Sequence, residues 1–100
     1  MSEAVRVFRA LSDPTRRQIL QELRGGELAA GEIVERFRIS GPSISRHLSV
    51  LAAAGLVSSR REANRILYRL EPETLAHVVG DWLSAVCPTQ AVWRKKGRSR

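Results

Sequence analysis

Between Ala29 and Ala53 two short apolar-periodic segments stand end to end, separated by three or four residues that include Ser40-Gly41. In the first, Ile33, Val34 and Phe37 share one side. In the second, Ile44, Leu48 and Leu51 recur at i, i+4 and i+7, the spacing of a helix with one buried face. Pro42 near the start of the second segment suits the first turn of a helix, where its missing N–H would have no partner, and Gly55 stops that helix. Two helices of about ten residues joined by so short a turn containing glycine predict a helix-turn-helix.

The flanking sequence adds the rest of a small fold. Val5, Phe8 and Leu11 predict a first helix that stops at Ser12-Asp13-Pro14, where Asp13 can cap the next one. That helix runs to about Arg24 with Ile19, Leu20 and Leu23 inward, and Gly25-Gly26 end it. The glycine pair is no phosphate loop, because neither the preceding strand nor the Lys-Ser/Thr such a loop needs is present. Leu56–Arg61 and Arg65–Leu70 read as two strands around Glu62-Ala63-Asn64, with Ile66, Tyr68 and Leu70 inward and Arg65, Leu67 and Arg69 outward. A hairpin in that place is a wing.

A last helix begins near Glu71-Pro72, and its apolar positions Leu75, Val78, Val79, Trp82, Leu83 and Val86 follow helical offsets. One hundred residues make a single domain with a modest core. Six more large side chains exceed what such a core holds, so this helix, with Val5 and Phe8, is expected to form a two-fold homodimer interface. The competing reading is that it caps its own domain. The expected architecture is therefore mainly α with a small β-hairpin: a winged helix-turn-helix of about five helices and a two-stranded wing over residues 1–87, dimeric through its first and last helices. Residues 88–100 are expected as a basic, flexible tail.

Charge is distributed unevenly along this framework. The chain carries a net +7, and residues 36–69 hold seven arginines against Glu62 alone, whereas residues 70–87 hold three acids and no Lys or Arg. A cationic middle flanked by neutral or acidic helices is the footprint of a polyanion-binding face. Charge alone suits a solvated arginine surface equally well; the helix-turn-helix favours double-stranded DNA. Projecting the second helix of the motif at 100° per residue from its buried stripe leaves Pro42, Ser43, Ser45, Arg46 and Ser49 outward, with His47 at the margin and Ser40-Gly41 at the entrance. Arg46 is the first choice for reading a guanine edge, since its planar fork matches O6 and N7. The serines suit phosphate contact, with ordinary helix-start chemistry as the alternative. In the wing, Arg60, Arg61, Asn64, Arg65 and Tyr68 are expected at phosphates or a neighbouring minor groove.

The runs Phe8-Arg9-Ala10-Leu11-Ser12-Asp13-Pro14-Thr15-Arg16-Arg17-Gln18-Ile19-Leu20, Ile39 to Leu51, and Ala54-Gly55-Leu56-Val57 resemble the ArsR/SmtB winged-helix repressors, most of all the metal-independent branch that includes the SdpR-type autorepressors. The resemblance covers roughly residues 4–87. It implies a dimer joined through the first and last helices, Gly41–Leu51 as recognition helix and Arg60–Tyr68 as wing. Metal-sensing relatives carry a Cys-Val-Cys box where this chain has Ala29-Ala30-Gly31, and their C-terminal Asp-x-His and His-x-x-Glu/His sets are missing here. Only His77 and Asp81 share a helical face, short of the three or four ligands a tetrahedral site needs. No metal and no other cofactor is expected, and no small-molecule ligand is legible.

Cys87 is the single cysteine, which excludes an internal disulfide and fits a reducing, cytoplasmic setting. A redox role for it would require two copies to meet. No apolar run approaches the ~20 residues of a membrane span, and Met1-Ser2-Glu3 lacks a basic-then-apolar leader. No set of nucleophile and base has spacing that suggests an enzyme. A sequence-specific repressor is thus the leading expectation, against a non-specific architectural nucleic-acid binder or a protein-interaction module.

Overall fold

Ser2 opens the first helix, its hydroxyl accepting the Val5 N–H at 3.2 Å. A computed structural model describes residues 2–87; the expected basic tail, 88–100, lies outside the described residues. Helix α1 spans Glu3–Leu11, and α2, Pro14–Leu23, follows after Ser12-Asp13. Pro14 sits in the first turn of α2 and Asp13 Oδ2 accepts the Arg16 N–H at 3.0 Å, so the junction is built as the local sequence predicts. Then come β1 (Leu28–Ala29), α3 (Ala30–Arg36), α4 (Gly41–Ala53), β2 (Val57–Glu62), β3 (Arg65–Leu70) and α5 (Pro72–Val86).

The core lies where the helical stripes meet. Ile19, Ile33, Ile44, Leu48, Leu51 and Leu56 are each at most 1% exposed, and burying a side chain of that size contributes roughly 1.5–3 kcal/mol. Helix α1 differs from its reading. Val7 and Ala10 are its buried residues, while Val5 and Phe8 stay open on another face, so α1 has an inward and an outward apolar side.

Helix α4 ends on a two-bond glycine cap. Gly55 takes φ +76°, its N–H reaches Ala52 O, and the Leu56 N–H reaches Leu51 O, which satisfies carbonyls the helix leaves open.

The sheet has three strands instead of two. Leu28 and Ala29 pair antiparallel with Tyr68 and Leu67, giving the order β1-β3-β2. A two-residue strand carries no periodicity to detect; it exists because β3 offers an edge. The hairpin turn is tighter than expected, since Glu62 pairs with Arg65 and leaves only Ala63-Asn64, with Ala63 at φ 56°.

Two side chains on β3 reverse their expected exposure. Leu67, placed outward by alternation, is 5% exposed, whereas Ile66, which lines an open cleft with Ala30, Gly31 and Glu35, is 39% exposed. Leu67 lies opposite both Arg60 and Ala29, so these three share one face of the sheet.

Helix α5 also divides its faces differently from the reading. Val78 is 6% exposed within the chain's own core, and Leu75 and Val79, half-buried, pack against that core. Trp82, Leu83 and Val86 remain exposed.

Candidate nucleic-acid interface

Helix α4 buries Ile44, Leu48 and Leu51 and thereby turns a face without any acidic residue outward. Ser40 is its cap: the hydroxyl accepts the Ser43 N–H at 3.3 Å and donates to Ser43 Oγ at 3.1 Å. The Arg46 guanidinium donates to the same Ser43 Oγ at 3.3 Å. Ser40, Ser43 and Arg46 thus form a line one helical step apart, in which the serines engage backbone and guanidinium and the exposed Arg46 is held along the helix. Pro42, Ser45 and Ser49 are exposed beside them, with Gly41 at the first helical position.

His47 departs from this set. Its ring is half-buried and faces the start of α2, with Nδ1 3.2 Å from an Arg16 terminal nitrogen and 3.9 Å from Asp13 Oδ2. The offset from the buried stripe that made it marginal places it over α2.

In the wing the arginines are not equivalent. Arg60 forms a fork to Glu27, with Nε donating at 3.0 Å and a terminal nitrogen at 2.8 Å, and it also lies 3.5 Å from Glu62. Those bonds hold the Glu27 carboxyl below its usual range and raise Arg60. Because β3 lies between β2 and β1, this fork reaches across the middle strand on the Leu67 face. Arg60 is therefore committed to the protein. Arg65 meets Glu62 at 3.3 Å in an exposed pair of little energetic weight. Arg61 is exposed, and among the described residues no hydrogen bond or ion pair engages its guanidinium. Asn64 is exposed at the turn. Tyr68, expected among the wing contacts, is half-buried with its ring against the core, because its strand position faces the helices.

Among the described residues, five of the eight exposed large apolar side chains lie on α1 and α5, the others being Ile39, Val50 and Ile66. Val5, Phe8, Trp82, Leu83 and Val86 are 37–60% exposed, and the Phe8 and Trp82 rings meet edge to face at 5.8 Å. His77 and Asp81 stand beside this patch as an exposed pair 3.7 Å apart. Among the described residues no group of three or more His, Cys, Asp or Glu side chains is placed to hold a metal ion. Cys87 is a half-buried free thiol at the end of α5, and no helix of the described residues is long and apolar enough to cross a membrane.

Three residues enter this site that sequence reasoning did not place in it: Arg16, Glu27 and Asp13, the last expected only as a helix cap and here also a partner of His47. Only Asp13 had a local signal, its position before Pro14.

Comparison with known proteins agrees with this geometry. A family model described as a helix-turn-helix domain matches residues 11–60. The chain is 47% identical over 77 residues to the transcriptional repressor SdpR of Bacillus subtilis strain 168, a match covering 77% of this chain and 84% of that one. It is 43% identical to the transcriptional regulator KmtR of Mycobacterium tuberculosis over 77% of its length, but spans only 59% of that longer relative. The solved structure of an ArsR-like transcriptional regulator from Rhodococcus sp. RHA1 superposes with a TM-score of 0.75 at 33% identity, covering 97% of this chain and 88% of that one. A winged fold with these relatives is that of a DNA-binding regulator and not of an enzyme. The chain belongs to the ArsR/SmtB family of winged helix-turn-helix transcriptional repressors.

Proposed function

We propose that this repressor binds a palindromic operator as a homodimer in the cytoplasm, each copy laying α4 in the major groove and its wing alongside. The observation that carries the reading is the acid-free outer face of α4, where Arg46 is exposed and aligned by Ser43. Arg46 reads a base edge there, while Ser45, Ser49 and Arg61 contact phosphates. The exposed face of Val5, Phe8, Trp82, Leu83 and Val86 meets its counterpart in a second copy. Two-fold symmetry then sets half-sites about 34 Å apart, one helical turn of DNA. Bound there, the dimer represses by occupying the promoter.

Selection of bound fragments from the organism's own genome with purified protein, with and without a chelator and a reductant, tests this directly. One imperfect palindrome is expected to be enriched. On that duplex Arg46→Ala lowers binding by about 1–3 kcal/mol while hardly changing binding to random DNA. Arg65→Ala weakens both alike. Equal losses from the two variants, or no enriched fragment, would overturn the proposal.

A further inference from the structure

Arg16, the third residue of α2, is half-buried, and its guanidinium bonds in two directions. Nε donates to Ala10 O at 2.7 Å and one terminal nitrogen to Arg9 O at 3.1 Å. Both carbonyls belong to the last turn of α1, where Arg9 O also accepts the Ser12 N–H at 3.2 Å and the Ser12 hydroxyl at 2.6 Å. The other terminal nitrogen lies 3.2 Å from Nδ1 of His47, midway along α4. A guanidinium can only donate, so Nδ1 accepts in this contact and the proton of the neutral ring sits on Nε2. Two charged groups face the ring, Arg16 and the Asp13 carboxylate at 3.9 Å, both from the start of α2.

We propose that Arg16 and His47 form a strut that sets the recognition helix against α1, and that specific DNA reading requires His47 neutral. The proposal rests on the reading of α4 as recognition helix. Helix α1 carries Val5 and Phe8 on the face given to a second copy, so the strut joins the surface that fixes dimer geometry to the helix that enters the groove. His47 adjoins Arg46 in the chain. A readout group of this kind needs placement within about 0.5 Å and 10–20°, and loss of the strut lets α4 turn by that much. Protonation makes Nδ1 a donor facing a donor, beside a second positive charge. The ring is then drawn to the Asp13 carboxylate and the strut opens. General attraction to phosphates does not suffer, since the added charge is positive. Low pH therefore lowers discrimination and not adhesion to DNA.

Fluorescence anisotropy of the full chain on the genome-selected duplex and on a random duplex measures the ratio of the two affinities. On lowering the pH from about 8 to about 5 the wild-type ratio is expected to fall about tenfold, the scale of coupling between contacting residues. His47→Gln offers Arg16 an uncharged acceptor, so it keeps the high ratio and loses the pH dependence. His47→Leu has no acceptor and gives the low ratio at every pH. Adding Arg16→Ala to His47→Leu lowers it no further. A pH-independent wild-type ratio, equal ratios for His47→Gln and His47→Leu, or independent losses from Arg16 and His47 would each overturn the strut. Should Arg16→Ala fail to fold, the two His47 variants decide the matter alone. Collapse of the ratio in Arg46→Ala with no effect at His47 would refute the strut but leave the recognition helix standing, whereas no effect of Arg46→Ala would refute the recognition helix itself.

Discussion

Asp13 takes part in three interactions through one carboxylate: it caps α2 by accepting the Arg16 N–H, and it faces both Arg16 and His47. The backbone hydrogen bond from Arg16, helped by the nearby Arg16 charge, holds its pKa below the ordinary 3.8. Glu27 is likewise held below 4.5, by the hydrogen bonds of Arg60. A carboxylate whose folded value is depressed stabilises the fold above its unfolded value and loses that contribution as pH falls through the folded one. Stability is therefore expected to decline from about pH 4.5 downward, and Asp13→Ala to flatten part of that decline. At neutral pH the same substitution removes a cap and costs about 1 kcal/mol, which a urea midpoint at pH 7 and again at pH 3.5 measures. Gly55 presents the opposite case, a residue that acts by having no side chain. Thr74 leaves room at 3.5 Å for an added Cβ, but φ +76° does not suit one, so Gly55→Ala is expected to cost about 1 kcal/mol in chemical denaturation.

At the scale of elements, the wing separates arginines that look alike in sequence. Arg60 and Arg61 are adjacent and both cationic, yet the first is forked onto Glu27 and the second is open. Neutralising a phosphate shifts the salt slope of binding by about 0.9 per contact. Arg61→Ala is expected to reduce the slope of log affinity against log salt by that amount for each copy bound, while Arg60→Ala leaves it nearly unchanged and loosens the wing instead. Titrating binding between low and moderate salt distinguishes the two, and identical slopes would show that Glu27 releases Arg60 on DNA. Helix α4 shows a similar division. Its buried stripe was legible because Ile44, Leu48 and Leu51 repeat at a fixed local spacing, but nothing local shows that His47 faces Arg16.

For the whole molecule the question is where the remaining apolar surface goes. The core closes over Val78 and half-covers Leu75 and Val79, but it leaves Trp82 at 54% and Val86 at 60% exposure, together with Phe8 and Val5 across from them. A contiguous apolar face on a small domain is what a partner covers. Trp82→Glu puts a charge where two copies would meet and, within the chain, gives up the edge-to-face contact with Phe8. It is expected to sediment as a single chain, keep its helical circular dichroism and lose operator binding by orders of magnitude, because one half-site alone retains only one set of contacts. A variant that sediments like the wild type would remove α5 from the interface.

The amino-acid sequence by itself determined the five helices, the place of the helix-turn-helix, the hairpin and the band of positive charge. Each depends on neighbours within a few positions: apolar residues one turn apart, a capping Asp13 before Pro14, a glycine where a helix must stop. Tertiary structure alone decided the third strand, the inward turn of Val78, the burial of Leu67 on the sheet face that carries the Arg60–Glu27 fork, and the commitment of Arg60 and His47. Those outcomes join Arg60 to Glu27 across 33 positions and Arg16 to His47 across 31. At such separations residue type restricts the partner only to any group of complementary charge or hydrogen-bonding capacity, and the choice among them is made by the packing that brings two distant stretches of chain together.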